Sequence, residues 1–277
     1  MTRIHKEDRA LVAAAHPDDE TLGAGGIIQR VLKTGARVKV IYLTHGDHNE
    51  IASLFYQGRP MLTKSDFIRS GKIRKGEALQ AMRGLGLEAE DLVFLGYPDL
   101  GLLPIWNKHR GKDKPFRSFL TRMNRVPYKE DFSYGKLYKA ENIVSDLKRI
   151  LDGYKPTRVF VPAIFDAHPD HQAVYLYVNA ALADGGGPRP AVHLYLVHAP
   201  RWPDPRGERP HLRLEEPLHC AWAGEWEWFS FDLAPDEIEG KRKALLCYKS
   251  QMAYSRNFLL SFVRSNELFA KKRKDGS

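Results

Sequence analysis

Leu11-Val12-Ala13-Ala14-Ala15 runs without a break into His16-Pro17-Asp18-Asp19-Glu20. A short apolar run closed by polar residues reads as a buried strand. Beyond the acidic turn, Leu22, Ile27, Ile28, Val31 and Leu32 carry a helical pattern that stops at Gly35, because glycine tolerates the left-handed backbone that ends a helix. Val38 to Leu43 supplies a second strand rich in β-branched residues and ends at Thr44-His45-Gly46-Asp47. A helix from about Asp66 to Arg83, closed by Gly84 or Gly86, precedes a strand from Leu92 to Leu95. Strand and helix alternate, which predicts an α/β fold with a mainly parallel sheet and helices on both faces.

After Gly96 the alternation lapses. Residues 101–138 are rich in Lys, Arg, Pro and aromatics without clear periodicity, which marks an insertion or a long functional loop. The pattern resumes with a helix from about Leu137 to Leu151, a strand from Arg158 to Pro162, a helix after Pro169 and a strand from Val192 to Val197. Gly185 to Pro190 reads as a tight connection between the last two. The segment Trp222 to Phe231 predicts a half-buried strand near a sheet edge. Pro235 sits at a helix start, and helices are expected from about Asp236 to Tyr248 and from Asn257 to Ala270. The whole chain, residues 1–277, reads as one domain with a flexible basic tail at 271–277.

Hydrophobic residues make up 43% and charged residues 28%, so a packed core is expected rather than a disordered chain. The N-terminus lacks the apolar segment and cleavage site of a signal peptide, and no stretch approaches the length a membrane-spanning helix needs. Two cysteines, Cys220 and Cys247, are too few and too far apart for a disulfide framework. These features predict a soluble cytoplasmic protein. The net charge of +9 fits nucleic acid, anionic membrane surfaces or anionic small molecules alike. Neither basic region, however, has the aromatic interleaving of a single-strand binding surface.

The first strand delivers His16-Pro17-Asp18-Asp19-Glu20 to its carboxyl end, where open parallel sheets bind ligands. A second cluster, His168-Pro169-Asp170-His171, comes after the strand Arg158 to Pro162. If both strands run parallel in one sheet, the clusters converge on the same edge. Two imidazoles and one carboxylate around an open position suit Zn²⁺, and Fe²⁺ or another divalent ion accepts the same set. His16, Asp19 and His171 are the expected metal ligands. Asp18, adjacent but unligated, is the expected general base for a water. His168 is placed to stabilise an oxyanion or to protonate a leaving nitrogen, with Asp170 holding or charging its imidazole. Either cluster alone is as easily a packed or solvated histidine; together they are hard to explain as packing.

At these residues the chain resembles the LmbE/PIG-L family of zinc-dependent N-acetylglucosaminyl deacetylases and related amidases. Ala15 to Glu20 matches the first family motif and His168 to His171 the second. The likeness continues through Arg74 to Gly86, Leu95-Gly96-Tyr97-Pro98-Asp99, Lys249-Ser250-Gln251 and Asn266-Glu267-Leu268-Phe269. It implies a Rossmann-like fold and the same roles for His16, Asp18, Asp19, His168 and His171. It also implies that Arg74 and Asp99 bind substrate near the sugar. Without it, Arg74 would pair with Glu77 on an exposed helix face and Asp99 would close a turn after Pro98. No G-x-G-x-x-G loop succeeds the first strand, so no nucleotide cofactor is expected. Gly23-Ala24-Gly25-Gly26 reads instead as a close helix-to-sheet contact.

The expected substrate is a small amino-sugar conjugate. A same-mechanism amidase on a non-sugar or thiol-conjugate amide is the nearest alternative, and a basic nucleic-acid-binding or partner-binding protein is a more distant one. Oligomeric state is left open, a homo-oligomer included. Between Lys108 and Lys139 ten Lys or Arg residues stand against three acids, so the insertion either forms a wall or lid over the substrate that favours an anionic aglycone or is a solvated surface loop or subunit contact with no part in selection.

Overall fold

A computed structural model describes residues 3–47, 63–183, 188–217, 220 and 225–272. The alternation of the sequence is realised as β1 (Arg9–Ala14), α1 (Asp19–Lys33), β2 (Arg37–Thr44), α2 (Lys64–Gly84) and β3 (Leu92–Tyr97). The chain continues through α3 (Leu102–Lys108), α4 (Ala140–Tyr154), β4 (Arg158–Pro162), α5 (Pro169–Ala183) and β5 (Ala191–Tyr195). It closes with β6 (Trp226–Asp232), α6 (Pro235–Leu245), α7 (Lys249–Leu260) and β7 (Asn266–Lys272). Seven strands form one sheet in the order β3-β2-β1-β4-β5-β7-β6. The first five are parallel, and β7 pairs antiparallel with both β5 and β6.

This order places a topological switch between β1 and β4: the chain leaves β1 toward β2 and β3, then returns on the other side. Crevices at such points receive ligands. The central strands carry Leu11, Val12, Val40, Ile41, Val159 and Phe160, all buried, as strands covered on both faces must. α1 lies tight on the sheet because its glycines permit it. A Cβ at Gly23 would stand 2.2 Å from Tyr195 Cδ2, and one at Gly26 would stand 2.3 Å from Leu233 Cδ2.

The expected helix from Asn257 to Ala270 is corrected. α7 ends at Leu260, and Asn266–Lys272 is a strand inserted between β5 and β6. Glu, Leu, Ala and Lys favour helix locally, but five successive buried residues from Asn266 show none of the period that would have exposed the choice. Cross-strand pairing on both sides decides it, with Phe269 opposite Tyr195 and Phe229. Lys271 and Lys272, expected in a frayed tail after a helix, therefore belong to a strand. Residues 273–277 of that tail, residues 185–187 of the expected Gly185 to Pro190 connection, and residues 222–224 of the expected Trp222 to Phe231 strand lie outside the described residues.

The insertion is exposed over residues 110–114 but packs onto the fold from Val126 onward. Val126, Tyr128, Asp131, Ser133 and Tyr138 are buried, and Phe132 N–H donates to Phe94 O of β3. Among the described residues no helix is long and apolar enough to cross a membrane.

Candidate metal and active site

The carboxyl ends of the parallel strands supply the site. His16, Asp18 and Asp19 lie just past β1, Asp99 past β3, and Asp166 and His168 past β4, with Asp170 and His171 in the first turn of α5. His16, Asp18, Asp19, Asp99 and His168 line a cavity of about 510 Å³. α2 adds Arg74 to its wall, and α7 adds Gln251, Tyr254 and Phe258.

The three expected ligands converge through Asp19. Its Oδ2 lies 3.3 Å from His16 Nδ1 and 3.1 Å from His171 Nε2, and it also accepts the His16 backbone N–H at 2.8 Å. Both ring nitrogens of His171 are buried without an aligned hydrogen bond, although Asp166 Oδ2 stands 3.1 Å from Nδ1. Among the described residues, ligand atoms close enough together to hold a metal ion include those of His16 with His168 and His171, and those of Asp19 with His171 and His198, and imidazoles with a carboxylate are a donor set that a divalent ion such as Zn²⁺ or Fe²⁺ accepts. Burial favours neutral imidazoles, yet Asp99, Asp170 and Asp19 hold the His16 pKa well above its usual value. Against the same burial, Asp166 and Asp19 raise His171 to about 10. Acids that hold protons there favour a cation equally.

Asp18 faces the same cavity and is not drawn into that convergence. Burial pushes its pKa up to about 8, with Asp19 and Glu20 adding and Arg74 opposing. Arg74 Nη2 stands 3.5 Å from Asp18 Oδ1. The Asp18 backbone has φ 120°, a conformation that costs a non-glycine residue about 1–3 kcal/mol.

Arg74 is buried, not paired with Glu77 on an exposed face. Its Nη2 donates to Pro17 O at 2.7 Å and its Nη1 to Gly46 O at 3.0 Å, while Glu77 accepts from Ser250 N–H and Oγ. Asp99 Oδ1 lies 3.0 Å from His16 Nε2. Burial would raise Asp99, but the His16 charge holds it below the usual carboxylate range.

His168 stacks edge-on to His16 with ring centroids 4.8 Å apart. Its Nδ1 accepts the Asp170 backbone N–H at 3.2 Å, which makes Nε2 the protonated nitrogen of a neutral ring. Burial, together with His16 and His171, pushes its pKa down to about 2. The expected role of Asp170 changes accordingly. Its carboxylate accepts Leu100 N–H at 2.6 Å and Leu102 N–H at 3.0 Å and lies 3.4 Å from His16 Nε2, so it serves the turn before α3 and His16. Only its backbone reaches the His168 ring.

Two residues escaped the sequence reading. Asp166 approaches His171 Nδ1 and accepts the N–H groups of His168, Val197 and His198. His198, after β5, stacks flat on Phe258 and lies 5.0 Å from the His171 ring. A lone histidine after a strand and an aspartate before a cluster give no spacing signal. The basic insertion supplies no lining residue among those described between 101 and 138, so the wall expected from it comes instead from α7.

The family described as GlcNAc-PI de-N-acetylase, PIG-L, matches residues 11–182. A 1D-myo-inositol 2-acetamido-2-deoxy-alpha-D-glucopyranoside deacetylase of Mycobacterium sp. (strain KMS) is 30% identical over 176 residues, 63% of this chain and 50% of that protein. The chain thus spans about half the length of the curated relatives it matches. In three dimensions it is similar to the N,N'-diacetylchitobiose deacetylase from Pyrococcus horikoshii. The TM-score is 0.55 at 20% identity, covering 96% of this chain and 84% of that one. It is equally similar to the 4-carboxy-2-hydroxymuconate hydratase from Pseudomonas putida KT2440, with a TM-score of 0.56 at 17% identity over 98% of each chain. At such identities the likeness speaks for the fold, and this fold carries a deacetylase and a hydratase alike. The chemistry therefore resides in the site and not in the fold.

Proposed function

Because this chain belongs to the PIG-L (LmbE) family, we propose that it is a metal-dependent hydrolase that removes an N-acyl group, acetyl foremost, from an amino-sugar conjugate. The observation that carries this reading is the approach of His16 and His171 to Asp19 at the floor of a cavity that His16 and Asp19 line together with a second carboxylate, Asp18. His16, Asp19 and His171 would hold the ion. Bound there, a divalent ion supplies a Lewis acid that acidifies water and polarises a carbonyl oxygen.

The remaining work belongs to the chain. Asp18 takes the proton of the attacking water, and the Arg74 guanidinium at 3.5 Å favours the ionised form that can accept it. As water adds to the amide carbon, charge grows on the acyl oxygen. His168, neutral with its proton on Nε2, is built to donate a hydrogen bond to that oxygen. Asp18, having gained a proton, is the group positioned to pass it to the departing nitrogen. Arg74 and Asp99 bind the sugar, the guanidinium offering donors and the carboxylate accepting hydroxyls. Beyond them the cavity extends to Gln251, Tyr254 and Phe258, which favours a conjugate over a free monosaccharide.

The test is to purify the protein, measure divalent metal per chain, and assay amine release across N-acetylglucosamine, its phosphates and its glycosides. Non-sugar N-acyl amides are run in parallel. Release from the sugars ahead of the other amides is expected. A metal-loaded protein that releases amine from none of them overturns the reading.

A further inference from the structure

Asp18 combines two demands that conflict: it must aim a carboxylate into the cavity, and its backbone must adopt φ 120° and ψ −31° to do so. It is the N-cap of α1, yet its side chain makes no capping hydrogen bond, so the turn is not held in the way helix starts usually are. The restraint comes from two residues ahead. Glu20 Oε2 accepts the Asp18 backbone N–H at 3.1 Å. A glutamate in a first helical turn ordinarily points to solvent; Glu20 is fully buried.

The other end of that carboxylate is fixed as well. Glu20 Oε1 accepts the Thr21 hydroxyl at 2.6 Å and the Tyr248 hydroxyl, and the two hydroxyls are 3.3 Å apart. Tyr248 is itself fully buried and is the N-cap residue of α7, the helix whose next turns line the cavity. One side chain thus joins the peptide of Asp18 to the base of the opposite wall. Neither the motif nor the metal ligand set gives Glu20 a task.

We propose that Glu20 is the positioning residue for Asp18: it clamps the strained Asp18 peptide so that the carboxylate faces the cavity, and Tyr248 anchors Glu20. The proposal rests on the reading of Asp18 as the base. A purely structural Glu20 would tie α1 to α7 without acting through Asp18.

Glu20→Met removes the acceptor at similar size, whereas Glu20→Gln keeps an oxygen for the Asp18 N–H and offers its amide to the two hydroxyls. Glu20→Met is expected to lower kcat by about tenfold or more with KM and bound metal within about twofold. Glu20→Gln should recover most of that loss. In an Asp18→Asn background Glu20→Met should slow turnover no further, because residues acting as a unit are not additive. A Glu20→Met enzyme with unchanged kcat, or one that slows Asp18→Asn by the same factor, overturns the proposal. If Glu20→Met does not fold, Tyr248→Phe carries the test, with a lower kcat at unchanged KM expected and an unchanged kcat overturning it. Crystal structures give a readout free of activity: φ of residue 18 should turn negative in Glu20→Met and stay positive in Glu20→Gln. A positive φ retained in Glu20→Met overturns the clamp. A wild-type protein with no turnover on any N-acyl substrate would count against the hydrolase reading alone and leave the crystallographic arm decisive.

Discussion

His171 Nε2 lies 3.1 Å from Asp19 Oδ2, although one residue opens the helix after β4 and the other opens the helix after β1. The switch in strand order is what makes them neighbours, since β1 and β4 pair directly in parallel register. Neither residue can gather a ligand set from its own segment, so removal of either should dismantle it. His16→Ala, Asp19→Ala and His171→Ala are each expected to reduce bound divalent metal well below one ion per chain. The loss is measured by elemental analysis after dialysis. Full occupancy in all three variants would end the ligand assignment.

Asp18→Asn keeps the shape and polarity of the side chain but removes its capacity to take a proton. It stands outside the His16, Asp19 and His171 convergence, so metal content should not change. Turnover should fall by about 10²–10⁴-fold, the usual contribution of a general base. The check is kcat at saturating substrate on a sample of verified metal content, and a near-normal rate removes Asp18 from the role.

What the sequence disclosed came from period and punctuation. β1 and β4 announced themselves as β-branched or apolar runs closed by acidic-histidine turns, and a parallel reading of those two strands already placed both clusters on one edge. Gly23 and Gly26 were legible as a contact because no phosphate loop explained them, and Tyr195 and Leu233 fill the space a Cβ would take. β7 was not legible. Its residues are buried at every position from Asn266 to Ala270, and a run without alternation leaves helix and strand equally open. Asp166 and His198 were hidden for another reason: their parts depend on the pairing of β4 with β5, a long-range fact that no local spacing records.

Gly46 offers a probe of Arg74 that substitutes neither an expected ligand nor the base, although a displaced guanidinium also withdraws its support from the ionised form of Asp18. Its φ is +63°, and a Cβ there would stand 1.9 Å from Arg74 Nη1, which bonds the Gly46 carbonyl. Gly46→Ala therefore strains the turn and displaces the guanidinium. The expected outcome is a KM raised by about tenfold or more with metal content preserved. An unchanged KM in a folded, metal-loaded variant would show that substrate does not need Arg74 where the structure puts it.

The insertion poses the sharpest contrast between charge on paper and charge in place. Lys112, Lys114 and Arg117 are exposed, and none of them lines the cavity. Asp131, by contrast, is buried between His45 Nε2 and Lys75 Nζ, at 2.5 Å and 2.7 Å, and Tyr128 stacks on His45 with centroids 4.0 Å apart. The insertion thus braces the ends of β2 and α2 from behind the site. Asp131→Asn keeps its size but removes the charge that faces Lys75, which is only partly buried, so it should lower stability by about 1–3 kcal/mol, read from urea unfolding. Reversing Lys112, Lys114 and Arg117 to Glu should do little by comparison. KM for a phosphorylated N-acetyl sugar and for the neutral sugar should change by the same factor at physiological salt, where exposed charges are screened over about 8 Å. A rise confined to the phosphorylated substrate that shrinks as salt is added would restore the insertion to the substrate wall and leave α7 as only part of it.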